Sequence, residues 1–278
     1  MVEVLEGPLY LGIFGGVFGV FLAIANYFLK VKEDPRVEII EKILPGANCG
    51  ACGFASCEAY AKALVQGEAE PGRCAPGGEV ALKAINKILG LDVKVEKRVA
   101  FVKCQGGAVE KFRYRGIETC EASVIVGGGY IACPYGCLGF GDCVEKCPFD
   151  AIFINENGVA EVDASKCTGC GICVEVCPRN VIELVPARIG YYIACNSKDK
   201  LEVKKYCKNG CFGCGICASK KFNPEGVVEI VENLPVIHFD KVSSPQQLEL
   251  AGSKCPVKVW KKISSGKAEK LKSEKVKK

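Results

Sequence analysis

Twenty cysteines in 278 residues carry the chemistry of this chain, and their spacing says which chemistry. Cys167, Cys170, Cys173 and Cys177 form the run C-x2-C-x2-C-x3-C, with Pro178 directly after. Thiolates this close must turn inward around one centre, so the backbone between them has to curl tightly. Gly169 and Gly171 permit that curl, because a residue without Cβ tolerates unusual dihedrals and close approach. Runs of this spacing hold [4Fe–4S] clusters: three cysteines bind one cluster and the fourth reaches across to another. Disulfides of a secreted protein and zinc knuckles are the competing uses of cysteine. Repeated triplets two residues apart suit a cluster better than either.

A looser run precedes it, Cys133-x3-Cys137-x5-Cys143-x3-Cys147-Pro148. Together the two runs read as a two-cluster ferredoxin unit. Crossed ligation then places Cys147 with Cys167, Cys170 and Cys173 on one cluster. The other takes Cys137, Cys143 and Cys177. Phe140 stands where a further ligand is usual, and Cys133 is the expected fourth thiolate.

A degenerate copy follows. The segment from Cys207 to Pro224 aligns without gaps on Cys133 to Pro148, pairing Cys133 with Cys207, Cys137 with Cys211 and Cys143 with Cys217. Cys214 faces Phe140, and Lys221 faces Cys147. No counterpart of the triplet Cys167, Cys170, Cys173 exists, and the one later cysteine, Cys255 before Pro256, matches Cys177 before Pro178. One ligand set is missing whole and the other is kept: Cys211, Cys214, Cys217 and Cys255.

Further upstream, Cys49-x2-Cys52-x4-Cys57-x16-Cys74 supplies four more thiolates, with Gly50 and Gly53 among them. Zinc more often takes two separated C-x2-C knuckles, so this set also reads as a [4Fe–4S] site. Cys104, Cys120, Cys195 and Cys207 remain. They lack ligand spacing, and two readings stand: spare thiols in apolar pockets, or a fifth cluster's worth of ligands.

The elements that must hold these cysteines are legible in outline. Pro8 to Leu29 carries no charge and is long enough for a membrane-spanning helix. Lys30, Lys32 and Arg36 follow it and Glu3 and Glu6 precede it, which puts the C-terminal side in the cytoplasm. The acidic start and long apolar run argue against a cleaved signal peptide. Gly12, Gly15, Gly16 and Gly19 include pairs four apart, a spacing that lets a second helix approach. Periodicity predicts helices over 37–44 and 78–90 and a half-buried strand over 92–104. Short strands are expected over 151–154 and 159–162 across the Asn157-Gly158 turn, and over 181–185. Gly127 to Gly129 lacks the Lys-Ser/Thr of a phosphate loop. His238, the single histidine, and Trp260 read as structural residues.

Formal charge is +5, much of it in the lysine-rich tail from Lys258 on. The bulk is not a nucleic-acid-binding surface. The tail reads either as a solvated segment or as a contact for anionic lipid or an acidic donor.

The order of glycine-rich anchor, NCGACGFASC with its distal Cys74, and ferredoxin runs resembles the B subunit of the Rnf complex, the membrane-bound ion-translocating ferredoxin:NAD oxidoreductase. The resemblance covers nearly the whole chain; the NCGACGFASC module alone is less specific. It implies an iron–sulfur relay that takes electrons from soluble reduced ferredoxin and passes them to membrane and peripheral partner subunits. That makes the chain part of a redox-driven ion translocase in the cell membrane, single-pass, without a catalytic pocket of its own. The rival is a relay subunit of another membrane-bound redox enzyme, of hydrogenase or one-carbon type. The expected fold class is α+β: a transmembrane helix (1–30), a small helical cluster module (31–90), a connecting segment (91–132), a two-cluster ferredoxin domain (133–185), a one-cluster relative (186–257) and the tail (258–278). Four [4Fe–4S] clusters are expected, and a fifth is left open.

Overall fold

The computed structural model describes residues 3–29 and 34–263, with the side chains of the first helix described over 11–27. That helix, α1 (Glu3–Leu29), buries none of its described large apolar side chains. Leu11, Phe14, Phe18, Phe21 and Tyr27 are all exposed. Among the described residues no helix is long and apolar enough to cross a membrane. The expected span of Pro8 to Leu29 runs past the described side chains at both ends, and Lys30, Lys32 and most of the basic tail lie outside the described residues.

A small helical module follows: α2 (Pro35–Ile43), α3 (Cys57–Gln66) and α4 (Gly78–Leu89). Each boundary has a local cause. Asp34 caps α2 by accepting the Arg36 N–H at 2.9 Å, with Pro35 preset for the first turn. Ser56 caps α3 by accepting the Ala59 N–H at 3.1 Å, and α3 ends on left-handed Gly67. Val37, Ile40, Leu44, Tyr60, Leu64 and Ile85 close a core of their own.

The rest of the described chain is two copies of one topology that share a core, with a smaller cluster around Ile131, Cys133 and Leu138. In the first copy, β1 (Arg98–Val102) pairs antiparallel with β4 (Ile182–Pro186), and β2 (Ile152–Ile154) with β3 (Ala160–Val162). The short helices α5 (Cys120–Ile125), α6 (Asp142–Glu145) and α7 (Ile172–Glu175) belong to it. In the second copy, β5 (Tyr191–Ile193) pairs with β8 (Trp260–Lys262), and β6 (Val228–Val231) with β7 (Leu234–Ile237). Its helices are α8 (Val203–Tyr206) and α9 (Pro245–Gly252). First strand pairs with last in each copy, and the middle two form a hairpin. The β2–β3 turn is held by Asn155, whose side chain accepts the Asn157 N–H at 3.0 Å.

Two expectations change. The strand expected over 92–104 begins only at Arg98, and its burial does not alternate: Val99, Ala100 and Val102 are all buried. Both faces of β1 are covered, since β3 packs against it and the Ala100 N–H points at Cys167 Sγ, 3.3 Å away. The segment placed between modules thus supplies the first ferredoxin sheet with an edge.

The missing triplet has a physical replacement. Counting back from Cys255 as from Cys177, Pro245, Leu248 and Ala251 stand at the positions of Cys167, Cys170 and Cys173. Those residues lie in α9, and Leu248 and Ala251 are fully buried. Apolar side chains fill the second copy where the first arranges thiols.

Candidate iron–sulfur sites

The structure sorts all twenty cysteines into five sets of four. In the helical module, Cys49, Cys52, Cys57 and Cys74 ring a cavity with an empty volume of about 330 Å³. Asn48, in left-handed conformation, holds the loop by accepting the Cys57 N–H at 2.8 Å. Cys211, Cys214, Cys217 and Cys255 ring one of about 340 Å³. Trp260 lines that cavity. Its buried indole N–H makes no hydrogen bond of ordinary geometry and favours the charged form of the nearby Cys217 thiol. Cys147 and Cys167 sit close enough to Cys170 and Cys173 that their thiolates would raise the pKa of those two.

The fourth set differs from the expectation. Cys137, Cys143 and Cys177 share a cavity of about 370 Å³ with Cys120, not Cys133. Asp142, at the start of α6, explains the arrival of Cys120. Its carboxylate accepts the Cys120 N–H at 2.9 and 3.0 Å and the Glu121 N–H at 3.3 Å. Those bonds pin the first turn of α5, already capped by Thr119, onto the ferredoxin unit. Phe140, at the ligand position of the repeat, turns instead to Tyr114 and Tyr130, with ring centroids 5.4 and 5.5 Å away. The insertion between β1 and Cys133 thus covers Phe140 and supplies a thiol in exchange.

Cys133 lies with the other leftover cysteines. Cys104, Cys133, Cys195 and Cys207 ring a cavity of about 290 Å³. The two cysteines with no run to belong to, Cys104 and Cys195, face the first cysteine of each aligned run. No local spacing rule finds this set, because its members are up to 103 residues apart.

Electrostatics fit metal-bound thiolates. Burial pushes the Cys133, Cys137, Cys173 and Cys211 thiols up to about 12. It also raises Cys74, Cys104, Cys120 and Cys207. A thiolate is therefore costly at these positions unless a cation compensates it. Backbone N–H groups two residues on point at several of these sulfurs: Gly139 at Cys137, Ile172 at Cys170 and Gly213 at Cys211. Such donors stabilise a charged sulfur and not a neutral one. Among the described residues no three Cys, His, Asp or Glu side chains are grouped to hold a single metal ion. Four of the sets ring a void, which suits a four-iron cubane better than one zinc, which draws its sulfurs to about 2.3 Å from a point. His238 belongs to none of the sets and pairs with Glu229 at 3.0 Å.

Three sets are neighbours in series: Cys143 senses Cys173, and Cys137 senses Cys104. At the far end the Cys211 N–H donates to Cys195 Sγ at 3.2 Å. Arg179 lies between the second and third sets and donates to the Cys133 and Gly128 carbonyls, the former at 2.7 Å.

Two ferredoxin-type units and a separate four-cysteine module define an iron–sulfur protein of the ferredoxin class. Residues 44–76 match the family model described as a putative Fe–S cluster, and residues 133–184 match that of the 4Fe–4S dicluster domain. The chain is 40% identical to the B subunit of the proton-translocating ferredoxin:NAD(+) oxidoreductase complex of Clostridium ljungdahlii, over 91% of this chain and 90% of that relative. It is 40% identical to the B subunit of the Na(+)-translocating complex of Acetobacterium woodii, over 72% of this chain and 62% of that relative. It is 37% identical to the B subunit of the ion-translocating oxidoreductase complex of Methanosarcina acetivorans, over 83% and 88%. The chain belongs to the family of B subunits of ion-translocating ferredoxin:NAD(+) oxidoreductase complexes, the Rnf family.

Proposed function

We propose that this chain accepts electrons from reduced ferredoxin and relays them to partner subunits of an Rnf-type ion-translocating complex. [4Fe–4S] clusters held by the cysteine sets would supply one-electron carriage. The chain's own residues do the rest. They bury the thiolates, aim N–H groups at sulfur and hold the sets side by side.

One observation carries the entry point. Cys214 is the single exposed cysteine among the described residues, and it belongs to the Cys211–Cys255 set at the end of the series. The chain on either side of it is basic and partly aromatic: Lys204 lies 3.9 Å over the Phe212 ring, and Lys208, Lys220 and Lys221 are exposed. Such a surface suits an acidic electron donor and speeds its arrival. Electrons entering there would leave through the helical module. The exposed face of α1 supports a membrane anchor, since its described apolar side chains have no cover in the chain.

The test is electron uptake by the full complex in vesicles from dithionite-reduced ferredoxin, followed as bleaching at about 400 nm, where iron–sulfur clusters absorb. Replacing Lys204, Lys208, Lys220 and Lys221 with glutamine should slow uptake and flatten its salt dependence. Unchanged uptake at low salt would move the entry point elsewhere. Deleting α1 should release the chain from membranes lacking its partners; retention would argue against the anchor.

A further inference from the structure

We infer that Cys104, Cys133, Cys195 and Cys207 hold a fifth [4Fe–4S] cluster, seated between the two ferredoxin units and joining their electron paths. This rests on the proposal that the other four sets hold clusters.

The first support is symmetry. Cys104 follows the end of β1 by two residues, and Cys195 follows the end of β5 by two. These are the opening strands of the two copies. Cys133 and Cys207 head the two aligned runs. The set is thus two equivalent pairs, one from each unit, facing each other across the junction. Both pairs close on one cavity, which matching positions alone would not require.

The second is the sulfur environment. N–H groups two residues on point at three of these sulfurs: Gly106 at Cys104, Tyr135 at Cys133 and Asn209 at Cys207. That is the arrangement found at Cys137, Cys170 and Cys211. Cys195 receives the Cys211 N–H.

The third is how firmly the junction is closed. The Val109 N–H donates to the Tyr206 carbonyl at 2.9 Å, and the Lys208 N–H to the Gly107 carbonyl at 3.2 Å. Gln105 Nε2 donates to the carbonyls of Asn209 and Val257 at 2.9 and 3.1 Å. Left-handed Gly107 lets the Asn209 side chain approach closer than a Cβ would allow.

Position gives the site its role. On one side the Cys211 N–H lies 3.2 Å from Cys195 Sγ; on the other Arg179, which lines the Cys120 cavity, donates to the Cys133 carbonyl at 2.7 Å. The series runs from the Cys147 set through the Cys120 set and the junction to the Cys211 set. A cluster held there by Cys104, Cys133, Cys195 and Cys207 would supply a one-electron carrier between the Cys211 set and the Cys120 set.

The test counts clusters on the full chain, assembled anaerobically, by native mass spectrometry with iron and sulfide analysis. Five clusters and about 20 irons are expected, four irons per set. Cys104→Ser and Cys207→Ser should each lower the count by about four irons and leave the other sets' spectra in place. In these variants reduced ferredoxin should bleach only the Cys211 set quickly. Four clusters in the unsubstituted chain, unchanged by either substitution, would overturn the fifth site and leave the four-set reading standing. Full, fast bleaching in the variants would overturn the joining role. An unsubstituted chain that binds zinc and no iron would overturn both readings. The count on the unsubstituted chain decides the matter even where a variant fails to fold.

Discussion

Asp142→Asn isolates the contact that delivers Cys120. The Asp142 carboxylate accepts the Cys120 and Glu121 N–H groups at 2.9–3.3 Å, and among the described residues it is the side-chain tether from the ferredoxin unit to the first turn of α5. Hydrogen bonds to a charged acceptor contribute about 1.5–3 kcal/mol each, against about 1 for neutral ones. Asparagine keeps one acceptor oxygen and loses the charge, so about 1–2 kcal/mol of local stability should go. Amide exchange over residues 119–126 should then speed up about 5–30-fold, with the hairpin of β2 and β3 unaffected. Iron in the Cys120 set should also leave faster to a chelator, while the Cys49 set keeps its own rate. Unchanged exchange over 119–126, or faster iron loss from every set alike, would refute the reasoning.

Leu248→Ala leaves a hole where the second copy lacks a cluster; it should cost about 2–5 kcal/mol, read by chemical denaturation of the assembled chain. Arg179→Gln removes a cation beside two sets and favours the less negative, oxidised state; their midpoint potentials should fall by roughly 40 mV, about 1 kcal/mol, measured by redox titration. In the metal-free chain, buried thiols raised to about 12 stay neutral while the unfolded chain ionises. Their contribution to stability is full below the unfolded thiol pKa, about 8.5, and is lost as pH rises toward 12. Denaturation midpoints of the metal-free chain should therefore decline across that window.

Local spacing made much of this legible. The sets at Cys49–Cys74, Cys147–Cys173 and Cys211–Cys255 stand together where their runs and the internal repeat put them. The repeat also showed which ligand set the second unit lacks, although not that Leu248 and Ala251 would fill the space. What stayed hidden depends on contacts distant in sequence. Cys120 reaches its set through Asp142, 22 residues on, and nothing in the spacing of either residue announces that bond. Phe140 at a ligand position hinted that a thiol must come from elsewhere, and Cys133 was the nearest candidate along the chain but not in space. β1 looked like a connector because its partner, β4, lies beyond both cysteine runs. The uneven burial of β1 reflects cover on both faces, which alternation alone does not encode.

The relay itself is tested most directly by mixing the full chain, clusters assembled, with reduced ferredoxin and counting the electrons taken up. Several electrons per chain are expected, with bleaching of the cluster absorbance and return of those electrons to the partner subunits when the complex is restored. A chain whose clusters bleach with dithionite but take no electron from ferredoxin would contradict it.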